Sequence, residues 1–257
     1  MKRKYMKKIL IVPLAIAVVL LFFLALEKHP DVIRVSSNAS GKELPIYCVQ
    51  TEEPKIAISF DAAWGNEDTP QILEILAKHN VKATFFMTGG WVESYPEDVK
   101  AILAAGHDLG NHSETHPNMS ELSAEEITTE LMTVHNRVKE LTGYEMTLFR
   151  PPYGDYDNEV ITTAKECGYY TIQWSVDSLD WKDYGVDQVI SQVCDNEHLD
   201  NGAIILCHNG AKYTAQALDE MLTNLEGQGY QFVPISGLIV KDNYTIDVTG
   251  KQIPASE

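Results

Sequence analysis

His112 and His116, in the segment Asn111-His112-Ser113-Glu114-Thr115-His116, place two imidazoles about one helical turn apart, close enough to share a metal ion. The spacing fits two surface histidines equally well, and Ser113 after the first histidine separates the pair from the HExxH of zinc proteases. In Phe149-Arg150-Pro151-Pro152-Tyr153-Gly154 a permanent cation is followed by two prolines that stiffen the turn. The next free backbone N–H, that of Tyr153, can then be held in one direction, as an oxyanion donor must be; a rigid loop whose Arg makes a structural ion pair is the competing explanation. Asp177-Ser178-Leu179-Asp180-Trp181 offers two acids and a large ring suited to stacking on a sugar. Ile204-Ile205-Leu206-Cys207-His208 is an apolar run ending in an imidazole, and strand alternation puts Cys207 on the face opposite His208. A histidine there can serve as a general acid, kept protonated by a nearby carboxylate. His29, His79, His107, His135 and His198 lack such company and read as surface or packing residues.

These residues need elements to position them. From Lys55 onward, β-type runs at Ile56–Phe60, Ala83–Met87, His107–Asn111, Leu148–Phe149, Tyr170–Trp174, Ala203–Cys207 and Tyr230–Val233 alternate with amphipathic, helix-length stretches. The helices are expected at Pro70–His79, Pro96–Ala105, Ala124–Leu141, Glu159–Cys167, Asp187–Asn196 and Ala215–Glu226, the third opening with Ser123 and Glu126 in capping-box spacing. Repeated strand–helix alternation predicts a parallel sheet, and about seven units predict a closed or nearly closed barrel. Functional residues of such barrels belong at the C-terminal ends of strands. Asp61, His112, Arg150, Asp177, Asp180 and His208 all follow predicted strands, so the chemically competent residues gather at one rim.

The remainder of the chain sets the surroundings. Lys2, Arg3, Lys4, Lys7 and Lys8 precede an uninterrupted apolar run from Ile9 to Leu26, and no acid occurs before Glu27. As a helix of about 1.5 Å per residue the run would span about 27 Å, close to the ~30 Å of a hydrocarbon core. The basic flank places the N-terminus in the cytoplasm and the rest outside. Phe23 is too large for the −3 position of a signal-peptidase site ending at Ala25, which favours an uncleaved anchor over a removed signal peptide. The expected organisation is a basic tail at 1–8, a transmembrane helix at 9–26, a linker at 27–54 with one short strand near Ile46–Val49, a barrel at 55–240 and a C-terminal tail at 241–257. With a formal charge of −17, and its cations concentrated at the N-terminus, the chain repels phosphate backbones, so nucleic acid is not an expected partner. Cys48, Cys167, Cys194 and Cys207 show neither CxxC nor zinc-ribbon spacing and are expected as free thiols.

Taken in order, Ser59-Phe60-Asp61, His112 to His116, Arg150 to Tyr153, Asp177 to Trp181 and Leu206-Cys207-His208 resemble the five motifs of the polysaccharide deacetylases of carbohydrate esterase family 4, over roughly Lys55 to Val240. The resemblance implies a distorted (β/α)7 TIM-like barrel, here preceded by the transmembrane helix, and a divalent metal, usually zinc. It implies that Asp61 is the base, oriented by Arg150, and that His112 and His116 are metal ligands. The Tyr153 N–H would stabilise the oxyanion, His208 tuned by Asp180 would protonate the leaving amine, and Trp181 and Leu206 would line the groove. The family's first motif carries two adjacent aspartates, the second a metal ligand, whereas Ala62 follows Asp61 here. Glu67, Asp68 or Glu114 could substitute, or Asp61 could turn to the metal. The variant motif resembles that of a sporulation-linked subgroup in endospore-forming Gram-positive bacteria. The expected function is removal of N-acetyl groups from an amino-sugar polysaccharide, peptidoglycan at the cell wall or spore cortex. The alternative is a catalytically silent glycan-binding domain of the same fold.

Overall fold

The run Lys-Ile-Ala-Ile-Ser-Phe-Asp-Ala becomes the central strand because both of its faces are covered, as apolar continuity in a parallel sheet requires. The computed structural model describes residues 41–255. The apolar run 9–26, expected as a transmembrane helix, lies outside them, and among the described residues no helix is long and apolar enough to cross a membrane.

In chain order the elements are β1 (Cys48–Val49), β2 (Lys55–Ala62), α1 (Thr69–Lys78), β3 (Thr84–Met87), α2 (Gly89–Ser94), α3 (Pro96–Ala104), β4 (Asp108–Asn111), α4 (Ala124–Thr142), β5 (Leu148–Phe149) and α5 (Asn158–Glu166). They continue with β6 (Tyr170–Thr171), β7 (Val176–Asp177), α6 (Val186–Cys194), β8 (Ile204–Asn209), α7 (Thr214–Gly227), β9 (Gln231–Phe232), α8 (Ile235–Leu238), β10 (Tyr244–Ile246) and β11 (Lys251–Pro254). The expected α/β alternation is present, and Ser123 and Glu126 form the reciprocal capping box at the start of α4.

The main sheet is parallel, in the order β6-β5-β4-β3-β2-β8-β7, with β9 pairing the start of β2. Its two edge strands, β6 and β7, are joined by only Ile172 to Ser175. A flat sheet of this width would hold its edges about 29 Å apart at ~4.8 Å per strand, whereas the connection reaches at most about 18 Å. The sheet must therefore curl. Among the described residues no ladder joins β6 to β7, so the expected seven-unit barrel is realised as a curled sheet with a seam between them. This also ends the expected strand Tyr170–Trp174 at Thr171, because the following residues carry the chain across the seam.

Two apolar layers follow from strand alternation. Phe60, Ala62, Phe85 and Phe149 face the helices together with Ile72, Leu131 and Leu218. Ala57, Phe86, Leu148, Ile172 and Ile204 pack inside the curl. Within 241–257, expected as a tail, β10 and β11 form a second sheet in the order β1-β11-β10. All four cysteines are free thiols.

Candidate active site

Parallel register brings the first two site residues together: Asp61 on β2 is the partner of His208 on β8, with Phe86 of β3 on the other side. Both polar side chains point into the mouth of the curl, and a cavity of about 530 Å³ opens above them, lined also by His112, His116, Tyr153 and Trp181. Arg150, fully buried, approaches from beneath. Its Nη1 donates to Asp61 Oδ1 at 2.7 Å, its Nη2 donates to the Gln173 carbonyl at 3.2 Å, and the guanidinium lies 4.2 Å from the centre of the Phe86 ring. Burial alone would raise the Asp61 pKa, but Arg150, then His112 and His208, outweigh it and hold the carboxyl below the usual carboxylate range.

On the opposite wall, Asp180 is fully buried. It accepts from the His208 backbone N–H at 2.7 Å, from His208 Nδ1 at 2.7 Å and from the Thr214 hydroxyl. Burial disfavours the imidazolium, but the Asp180 hydrogen bond and charge more than offset this, and the His208 pKa is raised. Nδ1 is thereby occupied and Nε2 is left to the cavity.

His112 Nδ1 meets the Arg150 carbonyl at 2.7 Å. A carbonyl can only accept, so Nδ1 carries the proton and the neutral ring presents its Nε2 lone pair, 3.5 Å from Asp61 Oδ2. Burial pushes this imidazole down to about 4 and also lowers that of His116. The two rings stand edge to face with centres 4.9 Å apart.

The loops holding these groups are conformationally costly. Ser113 (φ 67°), His116 (φ 60°), Tyr153 (φ 58°) and Leu179 (φ 52°) all occupy the left-handed region, at roughly 1–3 kcal/mol for each such residue. Side chains impose the first turn: Asn111 Oδ1 accepts from the Ser113 N–H at 2.9 Å, and Ser113 Oγ accepts from the His116 N–H at 3.0 Å. Asn111 is itself fixed by donating to Tyr169 Oη, which meets His135 Nδ1 at 2.6 Å. In the second turn the bonds come from the N–H groups of Gly154 and Asp155, not from that of Tyr153.

The two imidazoles do not find a third metal ligand. Among the described residues no group of three or more His, Cys, Asp or Glu side chains converges as a metal site. Ala62 is fully buried in the helix-facing layer, and Ala63 rather than Ala62 lines the cavity. Glu114 is committed to Arg137 through two 2.8 Å bonds, and Asp68 accepts from the Gly210 N–H at 2.9 Å. Glu67 folds back over Gly65, and Asp61 is held by Arg150. Catalytic zinc sites ordinarily have three protein ligands, so this donor set does not fit the metal that the motifs imply.

Every sequence-predicted site residue lies in or directly beneath the cavity, including Trp181 (54% exposed), Tyr153 (70% exposed) and Leu206, which lines the floor. Sequence reasoning missed Thr214 and Gln173, which hold Asp180 and Arg150, and Trp64, which is 53% exposed with its ring centre 5.7 Å from that of His208. Only Trp64 had a visible signal, its place immediately after the Asp61 motif.

A curled parallel sheet with a carboxylate–guanidinium pair and a histidine–carboxylate pair facing one cavity defines an α/β-barrel-type protein with an acid–base cleft. Residues 49–172 match the family described as polysaccharide deacetylase. The peptidoglycan-N-acetylmuramic acid deacetylase PdaA of Bacillus subtilis is 36% identical over 218 residues, covering 82% of this chain and 81% of that protein. The peptidoglycan-N-acetylglucosamine deacetylase PgdA of Listeria monocytogenes is 39% identical over 210 residues, 79% of this chain and 44% of that protein. The chain belongs to the polysaccharide deacetylase family. Among solved structures, a carbohydrate esterase family 4 pseudoenzyme from Bacillus anthracis superimposes with a TM-score of 0.73 at 36% identity, covering 83% of this chain and 73% of that one. A mutant pseudoenzyme with restored enzymatic activity gives 0.72 at 41% identity, covering 76% and 70%.

Proposed function

We propose that this protein is a hydrolase that removes N-acetyl groups from an amino-sugar polymer, with peptidoglycan of the cell wall or spore cortex as its substrate. The observation that carries this is the pairing of Asp61–Arg150 with His208–Asp180 across one open cavity, with a pinned turn at Tyr153 on its rim. The peptidoglycan deacetylases among its relatives support the choice of polymer.

In this reading Arg150 immobilises Asp61 Oδ1, and the other oxygen accepts a proton from water as the water oxygen attacks the acetyl carbonyl. The Tyr153 N–H donates to the oxyanion. His208 delivers its Nε2 proton to the amide nitrogen as the C–N bond breaks, releasing acetate and the free amine, while Asp180 stabilises the imidazolium beforehand. Asp61 is ionised at all ordinary pH but is a weak base because Arg150 lowers its pKa. No step is routed through zinc, since the donor set is one ligand short. The basic flank and apolar run at 9–26 support a single-pass anchor, with the N-terminus cytoplasmic and the domain outside the membrane.

The incomplete ligand set, together with the pseudoenzyme structures, favours a second reading: a glycan-binding domain without turnover. Acetate release from N-acetylated peptidoglycan by the purified protein decides between them. Release that disappears in Asp61→Asn supports the hydrolase; saccharide binding with no release from the wild type replaces it by the binding domain.

A further inference from the structure

Trp64 has no part in the chemistry above, yet it is a half-exposed indole at the centre of the cleft, its ring centre 5.7 Å from that of His208 and 6.4 Å from that of His116. On its far side lies a second cavity of about 420 Å³, lined by Thr88, Gly90, Trp91, Glu114 and Thr115, that shares only Ala63, Trp64 and His116 with the first. Trp64 and His116 thus form a partition between two compartments.

The second compartment is built from side chains that are already fixed. Arg137 holds Glu114 by two 2.8 Å bonds and also donates to the Gly89 carbonyl at 2.9 Å. Glu130 accepts from the Thr115 N–H at 2.8 Å and from its hydroxyl at 2.7 Å. The loop carrying Trp64 is pinned at the next residue, where the Gly65 carbonyl accepts from Trp91 Nε1 at 3.1 Å and from Asn209 Nδ2 at 3.0 Å. Any side chain at Gly89 would collide with Glu114, so the backbone there is fitted to the ion pair. The volume falls in the range of about 300–1,000 Å³ typical of small-molecule sites. An aromatic face beside carboxylate and hydroxyl oxygens, with the nearest guanidinium already engaged, suits a neutral ring that offers C–H bonds on one face and hydroxyl donors at its edge.

We propose that this compartment is a second saccharide subsite, which takes the sugar unit adjacent to the one seated over Asp61 and His208, with Trp64 as the platform between them. The proposal deepens the polymer-directed function above and rests on its choice of an amino-sugar substrate.

The test is calorimetric titration of the full chain with N-acetylglucosamine and with its β-1,4-linked tetramer. Wild type is expected to bind the tetramer more tightly than the monomer. Gly90→Leu places a side chain in the second compartment, where a Cβ meets nothing within 4 Å. It should abolish the gain of tetramer over monomer and leave monomer affinity unchanged. Trp64→Ala, which removes a half-exposed ring, should weaken the tetramer by about ten-fold or more, as loss of an aromatic anchor does. If the tetramer keeps its advantage in both variants, the second subsite is wrong while the saccharide function stands. If wild type binds neither sugar, the amino-sugar reading and the subsite fall together. Gly90→Leu affecting only peptide-bearing muropeptides would assign the compartment to a stem peptide and overturn the saccharide subsite.

Discussion

Asp180→Asn keeps the volume of a fully buried side chain and removes only its charge. The amide oxygen can still accept from the His208 backbone N–H and the Thr214 hydroxyl, which leaves the amide nitrogen, a donor, facing His208 Nδ1. The imidazole can meet a donor only with a lone pair, so the variant favours a neutral ring protonated at Nε2, a far weaker acid. A hydrogen bond to a charged group contributes about 1.5–3 kcal/mol. Its loss from the imidazolium alone makes the acid form scarcer by about 10- to 100-fold at a fixed pH, within the 10²- to 10⁴-fold ceiling for losing a general acid. In wild type the His208 pKa is raised, so the acid is present at low pH and lost as pH climbs through that raised value. The stability contributed by the pair follows the same course, complete below the unfolded imidazole's value of about 6.5 and lost through the folded one. Asp61, held below the usual carboxylate range, sets the acidic limb of the activity profile. Asp180→Asn should move the alkaline limb to lower pH and leave the acidic limb in place. Acetate release against pH, with NMR titration of the His208 ring protons, measures both. An alkaline limb and a ring titration unchanged in the variant would show that Asp180 does not set the acid.

Arg150→Met should cost about 3–5 kcal/mol in urea unfolding, because it leaves Asp61 as an unpaired buried carboxylate, and Asp61→Asn added to it should recover part of that loss. Equal destabilisation by the single and double variants would mean that the pair carries no coupling. Ala62→Asp, which puts a carboxylate into the helix-facing apolar layer, should lower stability by about 3 kcal/mol or more in the presence of chelator, read from thermal melts. A melt identical to wild type would show that residue 62 reaches solvent or a cation.

The strand-end residues of the site were legible because side-chain direction in a strand has a period of two: once Ile204 to Leu206 is a buried strand, Cys207 and His208 must face opposite ways, and they do. The same alternation explains why the first motif misleads at its second position. Strand β2 continues through Ala62, in register with Met87 and Asn209, which turns that residue toward the helices and leaves Ala63 at the cavity. Thr214 and Gln173 were not legible, since each meets its partner only through tertiary placement of a helix start or a strand end. Trp174 was placed within a strand, but the seam between β6 and β7 depends on how the whole sheet curls, which local pattern does not encode. The polar character of 241–257 concealed two strands whose partner lies at the other end of the domain.

That pairing has a consequence for the order in which the molecule is completed. β1 is hydrogen-bonded in parallel to β11, with Cys48 opposite Lys251 and Val49 opposite Gln252. The contact closes a loop of roughly 200 residues, at an entropic cost that grows only slowly with length but with a delay set by synthesis. At about 5–20 residues per second, β1 waits some 10–40 s for its partner to be made. Until then it has only isolated bridges, Ile46 to Ile172 and Cys48 to Ala203, while the strands that carry Asp61, His112 and Arg150 can already pair with one another. The nascent domain can therefore assemble half of its catalytic rim well before its first strand is covered, and that uncovered edge is where a holdase or a neighbouring chain meets it.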